Sequence, residues 1–189
     1  MNAVLETIQN RRSFGKLITP APKDAEVKAA LQAALAAPDH KQLKPWQFSI
    51  LKGKTLKDFG KVLENAAKAQ AEQKGEKLDA ATNKKNREMP LRAPMIITVA
   101  TKFTPHEKVP PFEQLLSAGA AAQNLILALE SMGYHTIWRT GPLANTPEVR
   151  KFLNVGNDDA VCGFIYVGSS KVEMPEREAV KVDDFIYKV

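Results

Sequence analysis

The sequence predicts an α+β fold in a single domain spanning residues 1–189. Three observations carry that expectation. Helical and strand periodicities mix along the chain without the regular strand–helix–strand alternation of a parallel-sheet protein. Its 189 residues suffice for one domain with a proper core. No internal repeat, low-complexity tract or linker divides them.

The elements follow in order. Ala3–Asn10 has the spacing of a short helix, with Val4, Leu5 and Ile8 on one side. Thr19-Pro20-Ala21-Pro22 breaks the chain. A second helix starts at Asp24, with Val27, Ala30, Leu31, Ala34 and Leu35 as its apolar stripe, and stops before Pro38. Trp46, Phe48 and Ile50 alternate with polar partners and predict a strand over Pro45–Leu51. Leu56, Phe59, Val62, Leu63 and Ala66 return to helical spacing, and a polar helix or loop covers Glu72 to Arg87. Met95–Ala100 is an apolar run of strand length. Phe112–Met132 is the longest helix, apolar on most of its surface, with Gly133 as its C-cap. A helix of this kind is buried centrally or at a dimer interface. His135–Arg139 predicts a strand, Thr146-Pro147 the start of a helix over Glu148–Leu153, and Val161–Val167 the last strong strand. The charged tail Lys171–Val189 ends on the hydrophobic Phe185-Ile186-Tyr187, a pattern suited to packing on a partner subunit.

Composition narrows the function classes. Hydrophobic residues make up 44% and charged residues 25%, as in an ordinary soluble protein. Met1–Asn10 lacks the basic and apolar regions of a signal peptide, and no apolar stretch reaches membrane-spanning length, so the expectation is a cytoplasmic protein without a membrane partner. The single cysteine, Cys162, lies in an apolar run and is expected to be a small core residue. Much of the net charge of +6 comes from lysines mixed with acids at helical spacing, the pattern of a solvated face. Lys68–Arg87 has no aromatic residue, which argues against a nucleic-acid surface; the remaining positive field suits an anionic cofactor.

Three clusters carry the chemistry: Arg11-Arg12-Ser13, Ala37-Pro38-Asp39-His40 through Pro45-Trp46, and Ile137-Trp138-Arg139-Thr140-Gly141. Arginines beside a hydroxyl suit a phosphate, because the guanidinium fork and the hydroxyl both donate to its oxygens. Two tryptophans and a histidine near short turns suit a flat aromatic ligand. Neither a nucleophile nor a metal-ligand set is present: His106 and His135 have no ligand spacing with each other or with cysteine. A site of donors and flat surfaces implies that a bound cofactor does the chemistry. Each cluster also has a structural reading. Arg11 and Arg12 suit the C-terminal end of a helix, Trp46 suits the core, and His40 suits a turn.

In this order and at these distances, the clusters resemble the flavin-dependent nitroreductase family, in its compact bacterial branch of the YdjA type. Arg11-Arg12-Ser13 resembles the family's Arg-x-Ser start. The segment from Ala37 to Trp46 resembles its Ala-Pro-Ser-x-x-Asn-x-Gln-Pro-Trp motif. Ser117-Ala118-Gly119 to Gly133, Ile137 to Pro142, Arg92-Ala93-Pro94 and Gly163–Gly168 extend the similarity over nearly the whole chain.

The resemblance implies a three-layer α-β-α sandwich and an obligate-type homodimer with FMN at the subunit interface. NADH or NADPH would be the co-substrate and a nitroaromatic or quinone-like molecule the electron acceptor, in a ping-pong cycle. On that resemblance, Arg11, Arg12 and Ser13 match ribityl-phosphate and pyrimidine contacts. The turn from Ala36 to His40 matches flavin contacts supplied by the partner chain, and Trp138, Arg139 and Thr140 match residues lining the isoalloxazine. Ala128, Leu129, Glu130, Ser131, Met132 and Gly133 match a segment assigned to nicotinamide dinucleotide binding, although a helix end this apolar also suits the core. Reduced flavin carries negative charge that a nearby cation stabilises, and Arg12 and Lys44 are both candidates. No side chain is required as catalytic acid. The chain departs from the family pattern at Gly15, where relatives often carry a basic residue, and at Asp39, Gln42 and Lys44, in place of serine, asparagine and glutamine. Those departures bear on substrate choice more than on flavin binding. The competing readings are a flavin protein with another specialised reaction, a non-enzymatic flavin-binding or redox-sensing protein, and a basic nucleic-acid binder.

Overall fold

A computed structural model of the chain describes residues 2–172, 178 and 180–187. Four antiparallel strands form one sheet in the order β1-β2-β4-β3: β1 Gln47–Lys52, β2 Met95–Thr101, β3 His135–Arg139 and β4 Ala160–Gly168. Helices cover both faces, as the predicted three-layer α+β arrangement requires. Side-chain alternation along the central strands decides which core each residue joins. Met95, Ile97 and Val99 of β2, with Ile165 and Val167 of β4, pack on α2 (Asp24–Ala34) and α5 (Pro111–Ser131). Ile96 and Ala100, with Phe164 and Tyr166, pack on α3 (Lys54–Gln73) and α6 (Pro147–Leu153). Every residue of β2 is buried, so this strand is the spine of the molecule.

The helices form for local reasons that the sequence displays. Val27, Ala30 and Ala34 bury one stripe of α2, while Leu35 caps it and stays 45% exposed, outside the expected apolar face. In α5 the small residues Ala118, Ala121 and Ala122 let the backbone approach the sheet, and Leu125 and Leu129 fill the space beyond. Burying each such leucine contributes roughly 1.5–3 kcal/mol. The helix ends in a Schellman motif: Gly133, at φ 85°, donates its N–H to Glu130 O at 2.9 Å, and Tyr134 donates to Leu129 O at 3.1 Å. The polar stretch after α3 resolves into a break and a separate helix, α4 (Ala80–Glu88), whose N-cap Asp79 accepts from Thr82 N at 2.6 Å.

Two local readings are corrected. In β1 the alternation does not bury Trp46, Phe48 and Ile50 alike; Ile50 is exposed at the sheet edge and Leu51 enters the α3/α6 core. Thr146 sits at the N-cap of α6, but its hydroxyl donates backwards to Leu143 O at 3.0 Å and caps nothing.

A bulge shapes the far end of the sheet. Val99 faces Gly163 and Ala100 faces Val161, which leaves Cys162 as the extra residue. Its thiol pairs with Thr101 Oγ1 at 2.9 Å, and burial pushes the thiol's pKa up, so it behaves as core. Among the described residues no helix is long and apolar enough to cross a membrane. Residues 173–177, 179, 188 and 189 of the charged tail lie outside the described residues.

Candidate functional site

The first helix, α1 (Ala3–Asn10), delivers the arginine cluster to the free edge of the sheet. Arg11 caps α1, donating its N–H to Thr7 O at 3.1 Å. The chain then runs parallel to β3, with Ser13 bridged to Thr136 and the Phe14 N–H donated to Thr136 O at 2.9 Å. The first and third clusters, 123 residues apart in sequence from Ser13 to Thr136, therefore share one edge. A Cβ built on Gly15 would stand 3.2 Å from Arg139 Nη2, so that guanidinium leans back over the segment after Ser13. It also lies 5.9 Å from the centre of the Tyr166 ring, a cation–π distance. Burial pushes the Tyr166 phenol up, while the charges of Arg139 and Arg92 pull the other way. Arg92 is thus a cation of this region that its position just before β2 did not advertise.

Trp138 and Arg139 project from opposite faces of β3. Trp138 is in register with Ile165 of the α2/α5 core, and Arg139 with Phe164 of the α3/α6 core. The indole lies across the bulge, its Nε1–H donated to Cys162 O at 3.2 Å. Any side chain at Gly163 would run into this indole and into the Arg139 carbonyl. Trp138 stays 36% exposed, and Thr140, just past the strand, is exposed as well.

The second cluster occupies the opposite end of α5. Asp39 accepts from the Leu43 and Lys44 N–H groups at 3.2 and 2.7 Å. It thereby holds a turn in which Lys41, Gln42 and Lys44 take φ of 62°, 55° and 51°. Asp39, noted in the sequence only as a departure from serine, is the residue that fixes this loop. His40 Nδ1 meets Glu113 Oε2 at 2.7 Å, which orients the imidazole. Nothing in the sequence paired these two; the only signal was an acid in the first turn of a long helix. Ala36, His40 and Lys44 are exposed. Roughly 25 Å of helix separates Glu113 from Glu130. The two clusters therefore lie apart within one chain, at opposite ends of α5.

The segment Ala128–Gly133 is divided. Leu129 is fully buried and cannot touch a ligand through its side chain. Ala128 and Ser131, with Val4, Ile8, Ala33 and Leu127, line a groove of about 330 Å³ between α1, α2 and α5. Glu130 turns toward β3, where its Oε1 is 3.4 Å from His135 Nδ1.

The donors at the β3 edge fit a phosphate, and the exposed indole supplies a flat surface, so the edge fits a flavin nucleotide by the chemistry of its side chains. The nitroreductase family model matches residues 8–169, from α1 to the end of β4. The chain belongs to the nitroreductase family. The "Putative NAD(P)H nitroreductase YdjA" of Escherichia coli is 38% identical over 169 residues, 89% of each chain. Two solved structures share the fold at lower identity. The nitroreductase-like family protein from Bacillus cereus superposes with a TM-score of 0.83 at 18% identity, covering 100% of this chain and 97% of that one. The FMN and NADPH-dependent nitroreductase NfnB from sphigopyxis sp. strain HMH gives 0.71 at 15% identity, covering 98% of both chains. These likenesses match the sandwich layers described above and the branch suggested by the sequence motifs.

Proposed function

We propose that the chain is a single-domain, FMN-dependent NAD(P)H oxidoreductase of the nitroreductase type. It passes reducing equivalents from nicotinamide to nitroaromatic or quinone-like acceptors in a ping-pong cycle, as a cytoplasmic homodimer. The observation that carries this reading is the parallel bridge of Ser13 to Thr136, which sets the arginine cluster on the same sheet edge as Trp138 and Arg139. The printed names of YdjA and NfnB, which specify NAD(P)H and FMN with NADPH, support it.

Bound flavin supplies the hydride chemistry. The chain's own residues hold and polarise it. Arg11 and Ser13 donate to the phosphate, and the indole of Trp138 offers a wall on one side of β3. Arg139 reaches the ligand from the other side. Arg12 and Lys44, the two candidates for stabilising charge near the reduced ring, belong to different clusters, so the choice between them is between a cation from the flavin's own subunit and one from the partner.

A dimer that joins the two clusters explains the exposed apolar surface. Val4 and Leu5 of α1, Phe112 and Leu116 of α5, and the tail residues Phe185 and Tyr187 all stand in solvent in the single chain. Deleting residues 183–189 is expected to weaken the dimer and lower FMN occupancy together, read by light scattering during size-exclusion chromatography and by the flavin-to-protein absorbance ratio. A monomeric truncation with full occupancy overturns the shared site. The activity is tested by flavin absorbance of the purified protein and by NADH or NADPH oxidation with a nitroaromatic acceptor. A colourless protein whose titration with FMN shows no binding would sink the reading, and so would a flavin-loaded protein that neither nicotinamide reduces.

A further inference from the structure

Glu130 is a carboxyl in an unfavourable place. It lies in the last turn of a 21-residue helix, whose C-terminal end already carries partial negative charge. Its side chain is only 14% exposed. Oε2 is buried without a hydrogen-bond partner, and Oε1 has only the long 3.4 Å approach of His135 Nδ1. Burial pushes its pKa above the ordinary carboxyl range, against the pull of His135 and then of Arg11. The charged groups that act on it are His135, at the start of β3, and Arg11, at the end of α1, while Tyr134 turns its hydroxyl away to Glu26 at 2.9 Å. Phe14 covers the imidazole, ring centres 5.7 Å apart. The backbone at Ser13–Phe14 is pinned to β3 beside this pair. Charge on Glu130 is therefore felt by Arg11, which opens the phosphate cluster.

We propose that Glu130 and His135 are positioning residues for Arg11 and make its anion site proton-linked, so that a phosphate monoester dianion is taken up together with a proton held on the Glu130–His135 pair. In the proposal, charge on Glu130 attracts Arg11 in the free protein. An arriving dianion competes for the guanidinium and places two negative charges near a poorly solvated carboxylate. Taking a proton from solvent, on the carboxyl or on the imidazole, relieves that repulsion and releases Arg11 to the ligand. This inference rests on the phosphate role given to Arg11–Ser13 in the proposed function.

The test is calorimetry of FMN binding to apoprotein in two buffers of different ionisation enthalpy. A window of about pH 7–8.5 keeps the ligand phosphate largely dianionic, since its second pKa is near ~6. Wild type is expected to take up on the order of half to one proton per FMN, with affinity falling up to about tenfold per pH unit as pH rises. Riboflavin, which lacks the phosphate, is expected to bind with no uptake. Glu130→Gln with His135→Gln is expected to retain FMN binding, lose the uptake and flatten the pH dependence; Glu130→Asp is expected to restore part of both. Uptake unchanged in the double variant, or no uptake in wild type that binds FMN, overturns the proposal. Failure of wild type to bind either FMN or riboflavin refutes the cofactor reading beneath it.

Discussion

Glu64 and Glu130 are two well-buried acids on the two longest helices, and their surroundings are opposite. The Glu64 side chain is 11% exposed and that of Glu130 14%. Glu64 sits mid-helix in α3 with Lys68 Nζ at 2.8 Å, Arg87 Nε at 2.6 Å and Arg87 Nη2 at 3.2 Å, so both oxygens are engaged. It joins α4 to α3. Glu130 sits at a helix end with one oxygen orphaned. A completed ion cluster is an architectural device, whereas a carboxyl with one oxygen unpaired responds to charge brought near it. The pKa directions agree: the Lys68 hydrogen bond, helped by Arg87, holds Glu64 below the usual range, and burial lifts Glu130 above it.

If that division holds, binding and stability separate by region. The largest effect is expected from Arg11→Ala with Ser13→Ala. Each lost charge-assisted bond is worth roughly 1.5–3 kcal/mol, so FMN affinity falls about tenfold or more per bond. Fluorescence titration of the apoprotein reads this, and thermal melts of the apo form stay near wild type. Unchanged affinity removes the cluster from the site. Next comes Glu64→Ala, which strands Lys68 and Arg87 and is expected to lower the thermal midpoint while FMN affinity per folded molecule is kept. A loss of affinity with the midpoint unmoved would reverse the assignment of the two regions.

The smallest effect sharpens the comparison most. Glu64 has a lowered folded-state pKa, so its stabilisation is present above the unfolded carboxyl pKa and disappears as pH falls through the folded value. Glu130 has a raised pKa, so its folded-state penalty is absent below the unfolded value and grows as pH rises through the raised one. Glu130→Gln is therefore expected to stabilise the apoprotein slightly at neutral pH, with the gain vanishing in acid. Glu64→Gln is expected to destabilise at neutral pH, with the loss shrinking in acid. Melting curves from about pH 4 to 8 distinguish the two slopes, and parallel slopes contradict the contrast.

Much of the fold was legible in the sequence, and the reason is periodicity. The i, i+3, i+4 stripe of α2, the apolar run of β2 and the glycine after α5 each report a local rule that the packed molecule obeys. Ile50 escaped because an edge strand has no sheet neighbour on its outer side, so alternation there does not decide burial. The site was legible by residue type and less so by partner. Arg11–Ser13 and Trp138–Arg139 were singled out separately, and only the parallel bridge of Ser13 to Thr136 shows that they share one sheet edge. His40–Glu113 and Glu130–His135 were missed as pairs, because a charge at a helix end has several possible partners in sequence and one in space. The opposite faces of Trp138 and Arg139 were available from strand alternation alone.

The pinned indole of Trp138 gives the chain an internal optical gauge. Its N–H is anchored to Cys162 O, and the space a side chain at residue 163 would need is already filled. Trp46 is the only other indole in the sequence, and it packs against the α2/α5 core. One emitter thus stands at the proposed ligand edge in a fixed orientation, and the other is set into the scaffold. Removing Trp138 as Trp138→Phe would leave Trp46 to report the fold alone, and the difference between the two emission signals would follow occupancy of the edge without any added dye.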